Sequence, residues 1–418
     1  MTQTPTMWEL IIANKRNSIA LMVLMAIVLL LLGTVIGLAV FGPKGGPYGL
    51  AIAAGVWLFL ALVSFSSGDQ ILLAASHAQP VTHDVHPQLF NIVEEMKIAA
   101  GLPAMPKIYI INDPAPNAFA TGRSPQSASI AVTAGLLAGL NRDELQGVVA
   151  HEMSHIFHRD ILYITLAGIM LGGITLLSQM FLRGAYYGSM GSRRRYSSDR
   201  GGGQAQAILL LIAIAAAILA PIMAYLLYFA LSRRREYLAD AGAARLTRYP
   251  EGIASALEKI ANDPSPQLAS ASKATAPMYI ANPFKRRGQA SLSNLTSTHP
   301  PISERIRILR SMSQGASYRD YARAYVSTTG LRNILPASAM SGEDVSLRPR
   351  EVQPAKQEPT PKQTHQIGDI MRKVNGFSFL TCPCGLKLKV PPNFKADRVE
   401  CPRCARTLHL SPPPQARR

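Results

Sequence analysis

Two histidines four residues apart, with a glutamate directly after the first, stand in "VVAHEMSHIFHRD" at residues 148–160. These residue types at this spacing are those that metal-assisted hydrolysis uses. Positions four apart share one face of a helix, so His151 and His155 can turn imidazole nitrogens toward a single ion. Glu152 is then placed as general base toward water activated by that ion. The stretch also carries its own helix start: Asn141 can cap, and Glu144 three residues on completes a capping box. An ordinary polar helix face can spell the same five residues, so further ligands must decide.

A catalytic zinc takes three protein ligands and leaves a fourth position open. In "SRRREYLADAGAARL" Glu236 and Asp240 fall one turn apart on a helix. Glu236 is the expected third ligand. Asp240 is the expected acceptor for the second ring N–H of a ligating histidine, which would fix its tautomer. The alternative is a solvated acidic face paired with Arg233, Arg234 and Arg235. The choice rests on whether the intervening chain returns residue 236 to the side that holds His151.

That chain is strongly apolar. Hydrophobic residues reach 48% while charged ones are only 16%, and the excess is clustered in four runs at 18–41, 48–65, 161–182 and 206–231. Each approaches or exceeds the roughly 20 residues that cross a hydrocarbon core. A signal peptide is the alternative for the first run, but no small-residue cleavage site follows it. The runs pair as two hairpins, 161–231 beginning directly after the histidines and ending directly before Glu236. Lys15, Arg16 and Arg233 to Arg235 flank the spans, against only Lys44 in the first turn, so the N-terminus, 66–160 and the chain after 231 are expected to face the cytoplasm. Arg183, Arg193, Arg194, Arg195 and Arg200 between the last two runs go against this rule; either that loop is an exception or the second hairpin does not fully cross. A net charge of +18 suits a surface beside anionic lipid and speaks less for nucleic acid, except in the tail.

"HEMSHIFHRD", "SRRREYLADAGAARL", the upstream "PNAFATG" and the downstream "STHPPISERIRIL" together resemble the HtpX-type membrane zinc metallopeptidases, relatives of the CAAX prenyl endopeptidases. The likeness runs in the same order from the first span to about residue 312. It implies an α-helical membrane protein with four hydrophobic spans and a mainly α, α+β gluzincin-like catalytic domain, multi-pass in the inner membrane and facing the cytoplasm. It implies zinc ligands His151, His155 and Glu236, the base Glu152, and Asp240 behind the ligands. It also places His299 and Arg305 near the site. His299 is a candidate to cover the open zinc position in a resting state; a structural hydrogen bond is the alternative. The implied substrates are polypeptides, membrane or misfolded proteins, handled in quality control or the stress response. Prenylated proteins are the weaker inference, because CAAX enzymes have more spans. A non-catalytic scaffold would not need a base at Glu152 or an open ligand shell.

"PKIYIIND" and "SASIAVTAGLL" read as strands. Peptidases commonly hold an extended substrate along a sheet edge. The strand near Ile130 and Val132, with Asn117, Ala118 and Phe119 beside it, is the expected edge; an ordinary core hairpin is the alternative. His158 is expected to support the ligands from behind or to pack rather than to ligate, and His77, His83 and His86 are read as structural.

The tail goes beyond the resemblance. Residues 333–375, rich in Pro, Ser, Gln and Lys, read as a flexible linker. Cys382 and Cys384, then Cys401 and Cys404, resemble a small β zinc ribbon that closes four thiolates around a structural zinc, the second zinc of the chain. Disulfides are the alternative, disfavoured in a reducing compartment. Lys387, Lys389, Lys395, Arg398, Arg403 and Arg406 leave protein, RNA or anionic lipid open as the ribbon's partner. The expected organisation is a transmembrane hairpin at 1–66, the first catalytic part at 67–160, a second hairpin at 161–231, the second catalytic part at 232–332, the linker, and the ribbon at 376–412.

Overall fold

The computed structural model describes residues 7–191, 203–265, 268, 270–271, 275–283, 300–332, 334–335, 339–340, 344–348, 361–394, 396 and 398–409. The chain opens with α1 (Met7–Phe41) and α2 (Gly46–Ala75), a helical hairpin. Then come β1 (Ala78–Pro80), α3 (Pro87–Ala99), β2 (Lys107–Ile111), β3 (Ala118–Thr121), β4 (Ser129–Thr133), α4 (Ala134–Gly139) and α5 (Arg142–Phe157). A second long hairpin follows, α6 (Asp160–Gly191) and α7 (Gly203–Thr247). The rest comprises α8 (Pro250–Asn262), α9 (Ile302–Arg310), α10 (Tyr318–Thr329), α11 (Pro361–Val374) and the strands β5 (Ser378–Thr381), β6 (Lys387–Val390), β7 (Arg398–Glu400) and β8 (Thr407–His409).

Among the described residues, four helical stretches are long and apolar enough to cross a membrane: Ile19–Phe41, Gly46–Ala75, Asp160–Tyr187 and Gln206–Leu226. Lipid tails are as apolar as leucine, so close packing must hold such helices together. α1 and α2 achieve it through facing glycines. A Cβ on Gly49 would fall 2.1 Å from the Gly33 carbonyl oxygen, and one on Gly37 would fall 2.5 Å from that of Gly45. The backbones therefore touch, and α1 packs in turn on α6 and α7.

The remaining helices surround a four-stranded sheet of order β1-β2-β4-β3. β2 and β4 run parallel, with β1 and β3 antiparallel at the two edges. This corrects one expectation: Ile130 and Val132 lie on β4, an interior strand paired on both sides, so they form no substrate edge. The crossover from β2 through β3 to β4 places β3, with Ala118 and Phe119, outermost. The core between sheet and helices joins Ile92, Ile110, Val132, Val148, Leu257 and Ile308.

A second difference concerns the stretch expected to be linker. Within it, α11 sets Ile367, Ile370, Met371 and Val374 against this core, an apolar stripe at helical spacing that the polar composition conceals. Further upstream, Arg348 reaches Asp143 at 2.7 Å. Gly49→Leu is expected to force α1 from α2 and to lower stability by about 1–3 kcal/mol, the usual cost of overpacking. Thermal unfolding in detergent would register it; an unchanged midpoint would show that the hairpin does not depend on this contact.

Candidate active site

α5 is buried on every side from Glu144 to Ile156. A helix in that position must find a partner for every polar side chain it carries. At its start, Asn141 accepts from the Glu144 N–H at 2.9 Å and Glu144 accepts from the Asn141 N–H at 2.8 Å, so the expected capping box is present. Lys259 and Ser255 then satisfy the Glu144 carboxylate, each at 2.7 Å.

Further along, α5 presents His151, Glu152 and His155 to α7, which presents Glu236 and Asp240. The two helices approach closely at Gly242, where a Cβ would sit 2.1 Å from Ser154 Oγ. His151, His155 and Glu236 each bring a ligand atom into a group spanning no more than 4.8 Å. His151 Nε2 and His155 Nε2 are 3.3 Å apart. Glu236 Oε1 lies 3.6 Å from His155 Nε2, and Oε2 lies 3.8 Å from His151 Nε2. Tetrahedral zinc with donors at about 2.0–2.1 Å has donor–donor edges of about 3.4 Å. The three residues therefore fit such an ion without rearrangement.

The outward nitrogens are also engaged. His151 Nδ1 lies 3.0 Å from Asp240 Oδ1. Asp240 in turn takes a two-pronged grip from Arg305, Nε to Oδ2 at 2.8 Å and Nη2 to Oδ1 at 2.7 Å. The remaining guanidinium nitrogen, Nη1, donates to the Ile280 carbonyl at 2.9 Å and stands 3.5 Å from Glu236. Arg305, expected near the site, is thus a wholly buried part of its frame. His155 Nδ1 faces Asp160 Oδ2 at 3.4 Å. Asp160 was not singled out from the sequence. Five positions from His155, it does not share a helix face with it; the contact arises because Arg159 takes a left-handed conformation, φ 58°, between α5 and α6.

Charge is the tightest constraint here. Four buried carboxylates, on Glu152, Asp160, Glu236 and Asp240, face two buried guanidiniums, on Arg235 and Arg305. The surplus of negative charge is what one divalent cation cancels. Burial pushes Glu152 up to about 7, helped by Glu236 and opposed by His155 and by the Ala120 N–H. Burial pulls His151 down to about 4 despite Asp240. Burial would lower His155 as well, but Asp160 and Glu236 outweigh it and raise the imidazole to about 9. Asp240, which burial alone would raise, is held below the usual carboxylate range by Arg305.

Among the expected substrate contacts, Ala118 and Phe119 lie on the edge strand β3. The Ala118 carbonyl accepts from the Ile280 N–H at 2.9 Å, and Phe119 stacks edge-on with Tyr279, centroids 5.0 Å apart. The Asn117 amide donates to the Ala281 carbonyl at 3.0 Å and accepts from the Ala281 N–H at 3.3 Å. Asn117 thus holds a chain segment beside β3. His158 ends α5 and contacts Ser154 and Tyr318, a packing role. His299 lies outside the described residues, as do Arg193 to Arg195.

The four cysteines form a second cluster, again within 4.8 Å. Cys382 Sγ and Cys404 Sγ are 3.4 Å apart, and Cys384 Sγ and Cys401 Sγ 3.6 Å, with no disulfide. Tetrahedral thiolate zinc with bonds of about 2.3 Å has sulfur–sulfur edges near 3.8 Å, so this cluster fits as well. Each pair sits in a turn after a strand, relaxed by a left-handed residue, Gly385 at φ 86° and Ala405 at φ 53°.

A buried carboxyl raised to about 7 beside a three-donor cluster that could hold a metal is equipment suited to hydrolysing an amide. Set against four spanning-length helices, it defines a membrane metallopeptidase. The model of peptidase family M48 matches residues 84–313. Protease HtpX homologs are similar over most of their length: 45% identity over 74% of this chain and 96% of the relative from Dictyoglomus thermophilum, 44% over 73% and 98% for that from Caldanaerobacter subterraneus, and 42% over 73% and 100% for that from Listeria monocytogenes. The crystal structure of S. mikatae Ste24p has a TM-score of 0.39 at 20% identity, covering 72% of this chain and 66% of that one. The chain belongs to peptidase family M48 and is a zinc metalloendopeptidase of the HtpX type.

Arg305→Met would leave the buried Asp240 carboxylate without its guanidinium partner, facing only the His151 imidazole. The expected loss is about 3–5 kcal/mol of stability, read from thermal unfolding of the detergent-solubilised protein. A variant as stable as the parent would show that Arg305 is not what holds Asp240 in place.

Proposed function

We propose that this chain hydrolyses membrane or misfolded proteins from the cytoplasmic face of the inner membrane, with His151, His155 and Glu236 holding the catalytic zinc. Bound there, zinc would polarise the scissile carbonyl and make water acidic enough to lose a proton near neutral pH. The chain's own part of the reaction falls to Glu152. Its Oε1 is buried and has no hydrogen-bond partner among the described residues, which leaves that oxygen available to take the proton from water. Raised by burial to about 7, the carboxyl can then return the proton to the leaving amine. Asp240 would keep the His151 proton on Nδ1, the nitrogen that faces away from the metal.

The observation that carries this reading is the joining of His151, Glu152 and His155 on α5 with Glu236 on α7, since α7 also contains a spanning stretch. Substrates that meet the site would therefore do so next to the bilayer. The four thiolates would hold a separate structural zinc, giving a second, closed site.

The test compares cleavage of casein and of a membrane-protein substrate by zinc-loaded protein with that of Glu152→Gln. The expected loss is about 10²- to 10⁴-fold for a general base with zinc content unchanged. Equal activity in both proteins would sink the assignment of Glu152. An isoprenylated peptide, cleaved in preference to either protein, would move the substrate class to prenylated chains. For the ribbon, Cys384→Ser is expected to lower bound zinc from about two per chain to about one without abolishing casein cleavage. A variant that keeps its full zinc content would show that the cysteines hold none.

A further inference from the structure

Behind the first histidine stands a carboxylate, and behind that a guanidinium: His151, Asp240, Arg305. The same order recurs behind the second. His155 Nδ1 is 3.4 Å from Asp160 Oδ2, and Asp160 Oδ1 is 3.9 Å from Arg235 Nε. Asp160 is 1% exposed and Arg235 5%. The Arg235 guanidinium carbon lies over the Tyr163 ring, 3.2 Å from its centroid, which holds the charge against α6 by a cation–π contact.

From this repetition we infer that Asp160, backed by Arg235, is the positioning residue of His155, so that this ligand is set from the ends of the two spanning helices α6 and α7. The inference rests on His155 being a zinc ligand. A neutral imidazole that offers Nε2 to a metal keeps its proton on Nδ1, and a carboxylate at Nδ1 selects that tautomer and holds the ring plane. Asp160 stands at the first position of α6, where the helix N-terminus favours a negative charge. A helix-capping carboxylate with no further role would need neither burial beside an imidazole nor a buried arginine behind it. The distances differ between the two sets, 3.0 and 2.7 Å behind His151 against 3.4 and 3.9 Å behind His155. The second set is the looser one, and both of its charged members lie on the spanning helices, whereas only Asp240 of the first set does.

The probe is Co²⁺ in place of zinc in the full-length protein in detergent. Cobalt held by nitrogen and oxygen shows weak visible bands, while cobalt in the ribbon shows an intense thiolate charge-transfer band, so the two sites are read separately. Asp160→Ala is expected to weaken cobalt at the nitrogen–oxygen site about 10- to 100-fold, measured by competition with a chelator, and to alter the visible band. Asp160→Asn, which keeps an acceptor but not the charge, should fall between Asp160→Ala and the parent, and Arg235→Gln should shift in the same direction. The ribbon band should persist in all. Unchanged cobalt affinity and an unaltered visible band in Asp160→Ala would overturn the inference. Should that variant fail to fold, the same outcome in Asp160→Asn would overturn it. His155→Ala separates the underlying assignment: if it binds cobalt at this site as tightly as the parent, His155 is no ligand at all.

Discussion

Burying four carboxylates around one pair of histidines is the condition on which the rest of this molecule depends. Unpaired, each would cost several kcal/mol to remove from water. The fold answers with two guanidiniums, two imidazoles and a place for a divalent cation. Much of the rest follows from that need. Arg305 is wholly buried because Asp240 requires both of its prongs. Gly242 is small because α7 must come close enough to α5 for Glu236 to reach the histidines. α9, a nine-residue helix, is in effect the bracket that delivers Arg305.

The parts of this arrangement that repeat at helical spacing were legible in the sequence. His151 and His155, or Glu236 and Asp240, are one turn apart, so local geometry alone puts each pair on one face. The capping box at Asn141 is a contact between near neighbours. The four spans announce themselves by length and composition, and four thiols in two close pairs admit few arrangements.

What was not legible depends on long-range order or on a single unusual dihedral angle. β4 has the alternation of an edge strand, but its neighbours are chosen by a parallel pairing with β2 that no local signal encodes. Asp160 is out of phase with His155 and meets it only through the left-handed turn at Arg159. The stripe of α11 is four apolar residues set among Lys, Gln and Pro, so composition pointed to a linker where packing makes a helix. In each case a tertiary contact outweighed the local preference.

α7 runs for 45 residues with Pro221 inside its apolar stretch, about 68 Å along its path at 1.5 Å per residue. Its apolar stretch ends at Leu226, and Glu236 follows roughly 15 Å further along the same axis. From Pro221 on, the helix joins the end of that stretch directly to Glu236. When a bilayer is thinner or thicker than the apolar stretch, the helix tilts to match it, and the tilt is carried to the carboxylate beyond its end. With Glu236 a metal ligand, as proposed above, the thickness of the surrounding lipid would act on the geometry of the metal site, and the choice of detergent or lipid would enter the enzyme's definition.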